Sequence, residues 1–267
     1  MVSLLISDVD GTLLNGCSAL TPRAIRAVKA LGEAGIAFAI ASGRPPLGMS
    51  MLVEPLNLQT PIAGLNGGVV TTPGLRLLTQ KLLPPTVAHR IHGIIQSHGL
   101  ETWINTSSQW FLRDPSTTHA LHEAEITKLA PVVMRDLTPA LNSAVKITSV
   151  EDDPERLAAC NKDLADALGD TVALVRSQSY YLDATQFDAN KGAALTEIAA
   201  RLSIPPHEIA TIGDMPNDVL MFRRSGLSIA MGNASASVQS QADYVTATNR
   251  DEGFAIAVET YVLSGGT

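Results

Sequence analysis

Short apolar runs that end in polar residues beside glycine recur in the first and last thirds of the chain. Residues 2–6 run into Asp8, Asp10 and Gly11, and residues 36–41 into Ser42-Gly43-Arg44. Residues 61–65 run into Asn66-Gly67-Gly68, and residues 209–212 into Gly213-Asp214 and then Asn217-Asp218. Runs of this length bounded by turn residues are predicted as strands covered on both faces. Helical signals lie between them. Thr21-Pro22 reads as an N-cap with proline at the first helical position, followed by Ile25, Val28 and Leu31 on one face and a stop at Gly35. Asn190-Lys191-Gly192 opens a second helix with Leu195, Ile198 and Leu202 on one face. Residues 69–78 are predicted as a hairpin around Pro73-Gly74, residues 227–231 and 244–246 as short strands, residues 253–263 as a closing helix and 264–267 as a frayed tail.

The rhythm breaks between residues 84 and 182. Val87, Ile91, Ile94 and Ile95 predict a helix ending near Gly99, and residues 101–113 two strands that carry Trp103 and Trp110. Residues 117–129 and 154–168 read as helices, residues 144–150 and 172–176 as extended. The expected fold is therefore α/β: a doubly wound parallel, Rossmann-like sheet formed by residues 1–83 and 183–267, with an inserted α+β domain over residues 84–182. Ligands of such sheets bind beyond the carboxyl ends of the strands, where Asp8, Ser42 and Asp214 stand.

Composition narrows the partners. The 267 residues carry a formal net charge of −7, which argues against a general affinity for nucleic acid or an anionic membrane surface. Any phosphate must be bound locally. Cys17 and Cys160 are the only cysteines, too few and too far apart for a disulfide framework or a zinc site, and read as reduced thiols. No apolar run reaches the roughly 18 residues of a membrane span, and the first residues lack a leader-like pattern, so a soluble cytoplasmic protein is expected.

In strand geometry Asp8 and Asp10 share a face, and two carboxylates so close repel unless a cation lies between them. A hard divalent ion such as Mg2+ accepts one or two carboxylates together with waters and phosphate oxygens. An ordinary acidic turn explains Asp-x-Asp-Gly equally well when it is taken alone. Ser42-Gly43 read singly is a loop start, Lys191 a solvated helix residue, and Asp214 and Asp218 a cap and a first-turn acid. His89 with His92 and His119 with His122 have helical i, i+3 spacing and are expected at the surface; Trp103, Trp110, Tyr180 and Tyr181 are expected to pack inside the inserted domain rather than stack on a sugar. No dinucleotide-binding or P-loop glycine pattern occurs.

Taken together and in order, these stretches resemble the haloacid dehalogenase superfamily, in its Cof-type, sugar-phosphatase-like branch with a large inserted cap. Asp8-Val9-Asp10-Gly11-Thr12 is similar to that family's first motif, Ser42-Gly43-Arg44 to the second, Lys191-Gly192 to the third, and Gly213-Asp214 with Asn217-Asp218 to the fourth. Asn66-Gly67-Gly68 is similar to the family's Asn-Gly turn, and Met215-Pro216 is bulkier than the family's usual pair. The resemblance implies a Mg2+-dependent hydrolase of small phosphorylated metabolites, sugar phosphates foremost. Asp8 would be the nucleophile and Asp10 the acid and base; Mg2+ would be held by Asp8, the Asp10 backbone carbonyl and Asp214, with Asn217 or Asp218 touching the ion or standing just behind its ligands. Ser42 and Lys191 would meet the phosphate, supported by Gly43, Arg44, Asn66, Gly67 and Asn217. A phosphomutase, a receiver-like phosphoacceptor and a phospho-ligand binder are the alternatives; the acid/base at Asp10 counts against a stored phosphoaspartate. Oligomeric state leaves no mark in the pattern.

Overall fold

The computed structural model describes residues 1–264, so all but the first residue of the expected frayed tail at 264–267 lies outside the described residues. Five strands come first: β1 (Leu4–Ser7), β2 (Ala37–Ala41), β3 (Ile62–Gly64), β4 (Val69–Thr71) and β5 (Leu77–Gln80). Six follow within the middle of the chain: β6 (Glu101–Asn105), β7 (Trp110–Leu112), β8 (Val132–Val133), β9 (Lys146–Val150), β10 (Val172–Gln178) and β11 (Tyr181–Gln186). The last three are β12 (Ile209–Gly213), β13 (Leu227–Ala230) and β14 (Tyr244–Val245).

Eight of these strands make one sheet, in the order β14-β13-β12-β1-β2-β3-β4-β5. From β14 to β3 every pairing is parallel, and the β4–β5 hairpin adds an antiparallel edge. Winding proceeds from β1 to β3 on one side and from β12 to β14 on the other, so the switch point in strand order lies between β1 and β12. The apolar run of β1 is continuous because both of its faces are covered. Leu5 joins Val28, Leu31 and Phe254 on one face, while Leu4 and Ile6 join Leu195, Ile198 and Met221 on the other. The helix Pro22–Glu33 begins at the expected cap, with Thr21 accepting from the Ala24 amide, and the helix Lys191–Leu202 is capped by Asn190.

A second, six-stranded sheet has the order β10-β11-β9-β6-β7-β8, antiparallel apart from β7–β8. Helices Pro85–Ser97 and Pro154–Leu168 cover one face through Ile91, Ile95, Leu157 and Leu164, packed on Ile104, Ile147 and Leu182. Trp103 and Tyr181, the residues before Ile104 and Leu182, cluster with Trp110 of β7 on the opposite face. β11 runs to Gln186, four residues beyond the boundary expected at 182, because Asp183 and Thr185 pair within this sheet opposite β9 and β10. Among the described residues no helix is long and apolar enough to cross a membrane.

Candidate active site

Four strand ends of the eight-stranded sheet converge. Asp8 follows β1, Ser42 follows β2, Asn66 follows β3 and Asp214 follows β12, so Asp8 and Asp214 flank the switch point directly. The chain leaves β1 through Gly11 at φ +79°, and a side chain there would also strike the Asp214 carboxylate. Thr12, not singled out by the sequence pattern, donates its hydroxyl to Asp214 Oδ1 at 3.1 Å.

Lys191 is the electrostatic centre. Its ammonium donates to Asp8 Oδ1 at 2.5 Å and to Asp218 Oδ1 at 2.6 Å, with all three side chains buried. The other oxygen of Asp218 accepts from the amides of Asp214 and Met215, at 3.0 and 2.9 Å, so Asp218 ties the loop after β12 to the lysine. Asp8, Asp214 and Asp218 each offer an oxygen within 4.8 Å of the others. Three carboxylates against one ammonium leave two negative charges in excess. Burial pushes the Asp8 carboxyl well above the usual range, Lys191 opposing and Asp218 and Asp214 adding to the rise. Burial and Asp218 likewise lift Asp214 to about 6. Burial alone would favour neutral Lys191, but Asp218 and Asp8 overcome it and hold the ammonium above its ordinary range. All donors are hard oxygens in a buried, electron-rich cluster, which fits a divalent cation such as Mg2+.

Asp10 is placed differently. Arg44 donates from Nε to Asp10 Oδ2 at 2.7 Å and from a terminal nitrogen to Oδ1 at 2.5 Å, while its other terminal nitrogen donates to the Ile126 carbonyl at 2.7 Å. Arg44 therefore grips Asp10 in two-pronged fashion, and its amide donates to Ser42 Oγ at 3.1 Å. The Ser42 hydroxyl proton remains available to a ligand. Asn217 donates to Asn66 Oδ1 at 2.9 Å and leaves its own Oδ1 buried without a partner among the described residues. Gly43 lines the cleft, whereas Gly67 stands behind it: a Cβ on Gly67 would lie 2.6 Å from the Asn190 carbonyl, at the start of the helix that carries Lys191.

The cleft above these residues has a volume of about 430 Å3, within the ordinary range for small-molecule sites. Its far wall comes from the second sheet and the helix Thr118–Thr127, through Glu123, Lys146, Tyr181 and Asp183. None of these four was assigned to the site from the sequence; Asp183 and Tyr181 alternate with apolar Leu182 and Ala184, a signal for a strand with one polar face. Asn233 was also missed, although Met231-Gly232-Asn233 repeats the pattern of an apolar strand ending in a polar residue beside glycine. It donates to Asp214 Oδ2 at 3.1 Å and to the Gly11 carbonyl at 3.0 Å. The histidine expectation needs correcting for His92, which is buried against the second sheet's helical face, where burial lowers its imidazole's pKa. His119 pairs with Asp152 at 2.8 Å and stacks on Tyr180 with ring centroids 4.2 Å apart.

Residues 5–258 match the model of a family described as haloacid dehalogenase-like hydrolases. The chain is 25% identical over 268 residues to a 5-amino-6-(5-phospho-D-ribitylamino)uracil phosphatase of Bacillus subtilis, covering 98% of this chain and 96% of that one. It is 24% identical over 264 residues to a phosphoglycolate phosphatase of Methanoculleus marisnigri, covering 98% and 97%. A haloacid dehalogenase-like hydrolase from Bacteroides thetaiotaomicron superposes with a TM-score of 0.87 at 26% identity, over 97% of this chain and 99% of that one. With its charged strand ends gathered at the switch point of a doubly wound sheet, the chain belongs to the haloacid dehalogenase-like hydrolase family, and within it is a phosphatase.

Proposed function

We propose that the protein is a Mg2+-dependent phosphomonoesterase of small phosphorylated metabolites, sugar phosphates among them, that works in the cytoplasm through an aspartyl phosphate on Asp8. The observation that carries this reading is the buried cluster of Asp8, Asp214 and Asp218 around Lys191, two negative charges in excess at the floor of an open cleft. Such a cluster is costly unless a cation and a phosphate complete it. Asp8, the Asp10 backbone carbonyl and Asp214 would hold Mg2+, with Asp218 orienting the loop from behind. The ion supplies charge neutralisation and alignment of the phosphoryl oxygens.

The side chains divide the chemistry. One oxygen of Asp8 is held by Lys191, and the other attacks phosphorus as the bond from phosphorus to the alcohol oxygen breaks. Asp10 would give a proton to the departing alcohol oxygen from its protonated form, for which the two-pronged hold of Arg44 must first open. It then takes a proton from the water that attacks the aspartyl phosphate, which restores Asp8 and frees inorganic phosphate. Ser42 donates to a phosphoryl oxygen, and Lys191 offsets charge as it moves from carboxylate to phosphate. The differing substrates named for the two relatives agree with a shared phosphoryl centre and a leaving-group wall that varies.

Phosphate release from phosphorylated sugars, nucleotides and p-nitrophenyl phosphate, with Mg2+ and with chelator, tests the reading. Metal-dependent release by the wild type that is lost in Asp8→Asn is expected. Asp10→Asn should slow both steps and allow phosphoenzyme to accumulate. Release that survives in Asp8→Asn, or no release by the wild type from any ester, overturns it.

A further inference from the structure

The eight-stranded sheet carries a second concavity, about 610 Å3 in volume, that shares no lining residue with the catalytic cleft. One side is the outer flank of the helix Lys191–Leu202, where Leu195, Ala199 and Ala200 line it. The other side is the turn of residues 223–226, between the short helix Val219–Phe222 and β13; Ile204 and Pro206 complete the apolar lining. The turn is firmly seated. The Arg224 amide donates to the Met221 carbonyl at 3.0 Å and the Gly226 amide to the Ile209 carbonyl at 2.9 Å, and a side chain on Gly226 would strike the His207 carbonyl.

Charge at the edge of this concavity has the opposite sign to that of the cleft. The chain holds 26 acidic residues against 19 lysines and arginines, yet no aspartate or glutamate lines the concavity. Arg223 and Arg224 stand exposed at its edge, and their donors meet neutral groups only. Arg223 donates to Gln241 Oε1 and Arg224 to Thr196 Oγ1, each at 3.2 Å, and neither guanidinium has a carboxylate partner among the described residues. Acids nearby in the chain are engaged elsewhere, Glu197 by Arg201 and Thr79, and Glu208 by the Ser3 hydroxyl. An apolar hollow of this size with a few charged groups at one edge has the make-up of a small-molecule site. Its complement is an apolar body that ends in an anion.

The same two walls lead to the catalytic charges. Lys191 is the first residue of the helix Lys191–Leu202, and Asp218 directly precedes the helix Val219–Phe222. The two helices meet backbone to backbone, since a Cβ on Gly192 would lie 2.5 Å from the Leu220 carbonyl oxygen. A ligand wedged between them therefore bears on the 2.6 Å contact of Lys191 with Asp218.

We propose that this concavity is a regulatory binding site, separate from the catalytic cleft, for a small molecule that joins an apolar body to a single anionic group.

The test pairs calorimetric titration with kinetics, using octanoate, octylamine and acetate as probes and p-nitrophenyl phosphate as the ester. The proteins are the wild type, the double variant Arg223→Gln with Arg224→Gln, and Ala200→Trp, which fills the hollow from an exposed position. Octanoate should bind the wild type at one site. Acetate, which lacks the apolar body, and octylamine, which reverses the charge, should bind at least about tenfold more weakly. Both variants should weaken octanoate by about tenfold. Saturating octanoate should change wild-type kcat by about twofold or more without acting as a competitor of the ester. No binding of octanoate, equal binding of octylamine, or variants that bind octanoate as the wild type does overturns the site. Purely competitive inhibition puts octanoate in the cleft and likewise overturns it, and an unchanged kcat overturns the regulatory role. The titrations need no turnover, so they stand or fall separately from the phosphatase reading.

Discussion

Arg44 joins the second strand end to the first by gripping Asp10 with two nitrogens, and on the proposed mechanism this contact places Asp10 as the ionised base of the second step. A lysine can supply the charge but not the fork. Arg44→Lys is therefore expected to lower kcat by about 10- to 100-fold while leaving the fold intact, as steady-state kinetics beside circular dichroism would show. Asp8→Asn removes the nucleophile and is expected to lower kcat by about 10⁴-fold or more, with Lys191 still held by Asp218. At this scale the polar residues that the structure gathers were legible in part: Asp8, Ser42 and Asp214 each end an apolar run, whereas Lys191, at the start of a helix, drew notice only with the other motifs in order. Their partners were not. The pairing of Arg44 with Asp10 depends on the β1–β2 register that sets Ser7 beside Ile40. Glu123 sits on a helix whose burial comes from the opposing sheet, which no local pattern reports.

The helix Lys191–Leu202 delivers the lysine, and its first turn is fixed from two sides. Asn190 Oδ1 accepts from the Ala193 amide at 2.9 Å, and Gly67 packs against the Asn190 carbonyl. Gly67 also sits at φ +89°, so Gly67→Ala would strain its own backbone and push this helix start away. The expected result is a loss of about 1–3 kcal/mol in urea unfolding, with a fall in kcat as Lys191 leaves its place. Asn190→Ala, which removes only the cap, should cost about 1 kcal/mol. The core elements were readable because strands covered on both faces are short, apolar and sharply ended. β11 was not read, although Tyr181 and Asp183 alternate with Leu182 and Ala184, because the polar residues of that alternation are buried by the cleft wall rather than exposed to solvent.

For the molecule as a whole, the carboxylate cluster makes stability depend on pH and on metal. The fold lifts the Asp214 carboxyl from its ordinary value of 3.8 to about 6, so over that interval the folded protein holds a proton that the unfolded chain has released. The metal-free protein therefore loses this contribution as pH rises through about 6 and does not regain it above. On the proposed reading Mg2+ would bind the deprotonated cluster, so it should raise Tm more at pH 7 than at pH 5, by melting in Mg2+ against chelator; an equal gain at both would show that the cluster is not where the ion binds. The two-sheet organisation and the cleft between its parts followed from a change of rhythm along the chain. The burial of β1 at the sheet's centre has a further consequence in time. Its pairing with β12, and the Lys191 partner that lies 183 residues beyond Asp8, exist only after most of the chain has been synthesised. Until then one edge of an apolar strand waits without its neighbour, a vulnerable condition on the ribosome. The Asp8–Lys191 pair on which the proposed chemistry rests is therefore absent until the chain has passed residue 191.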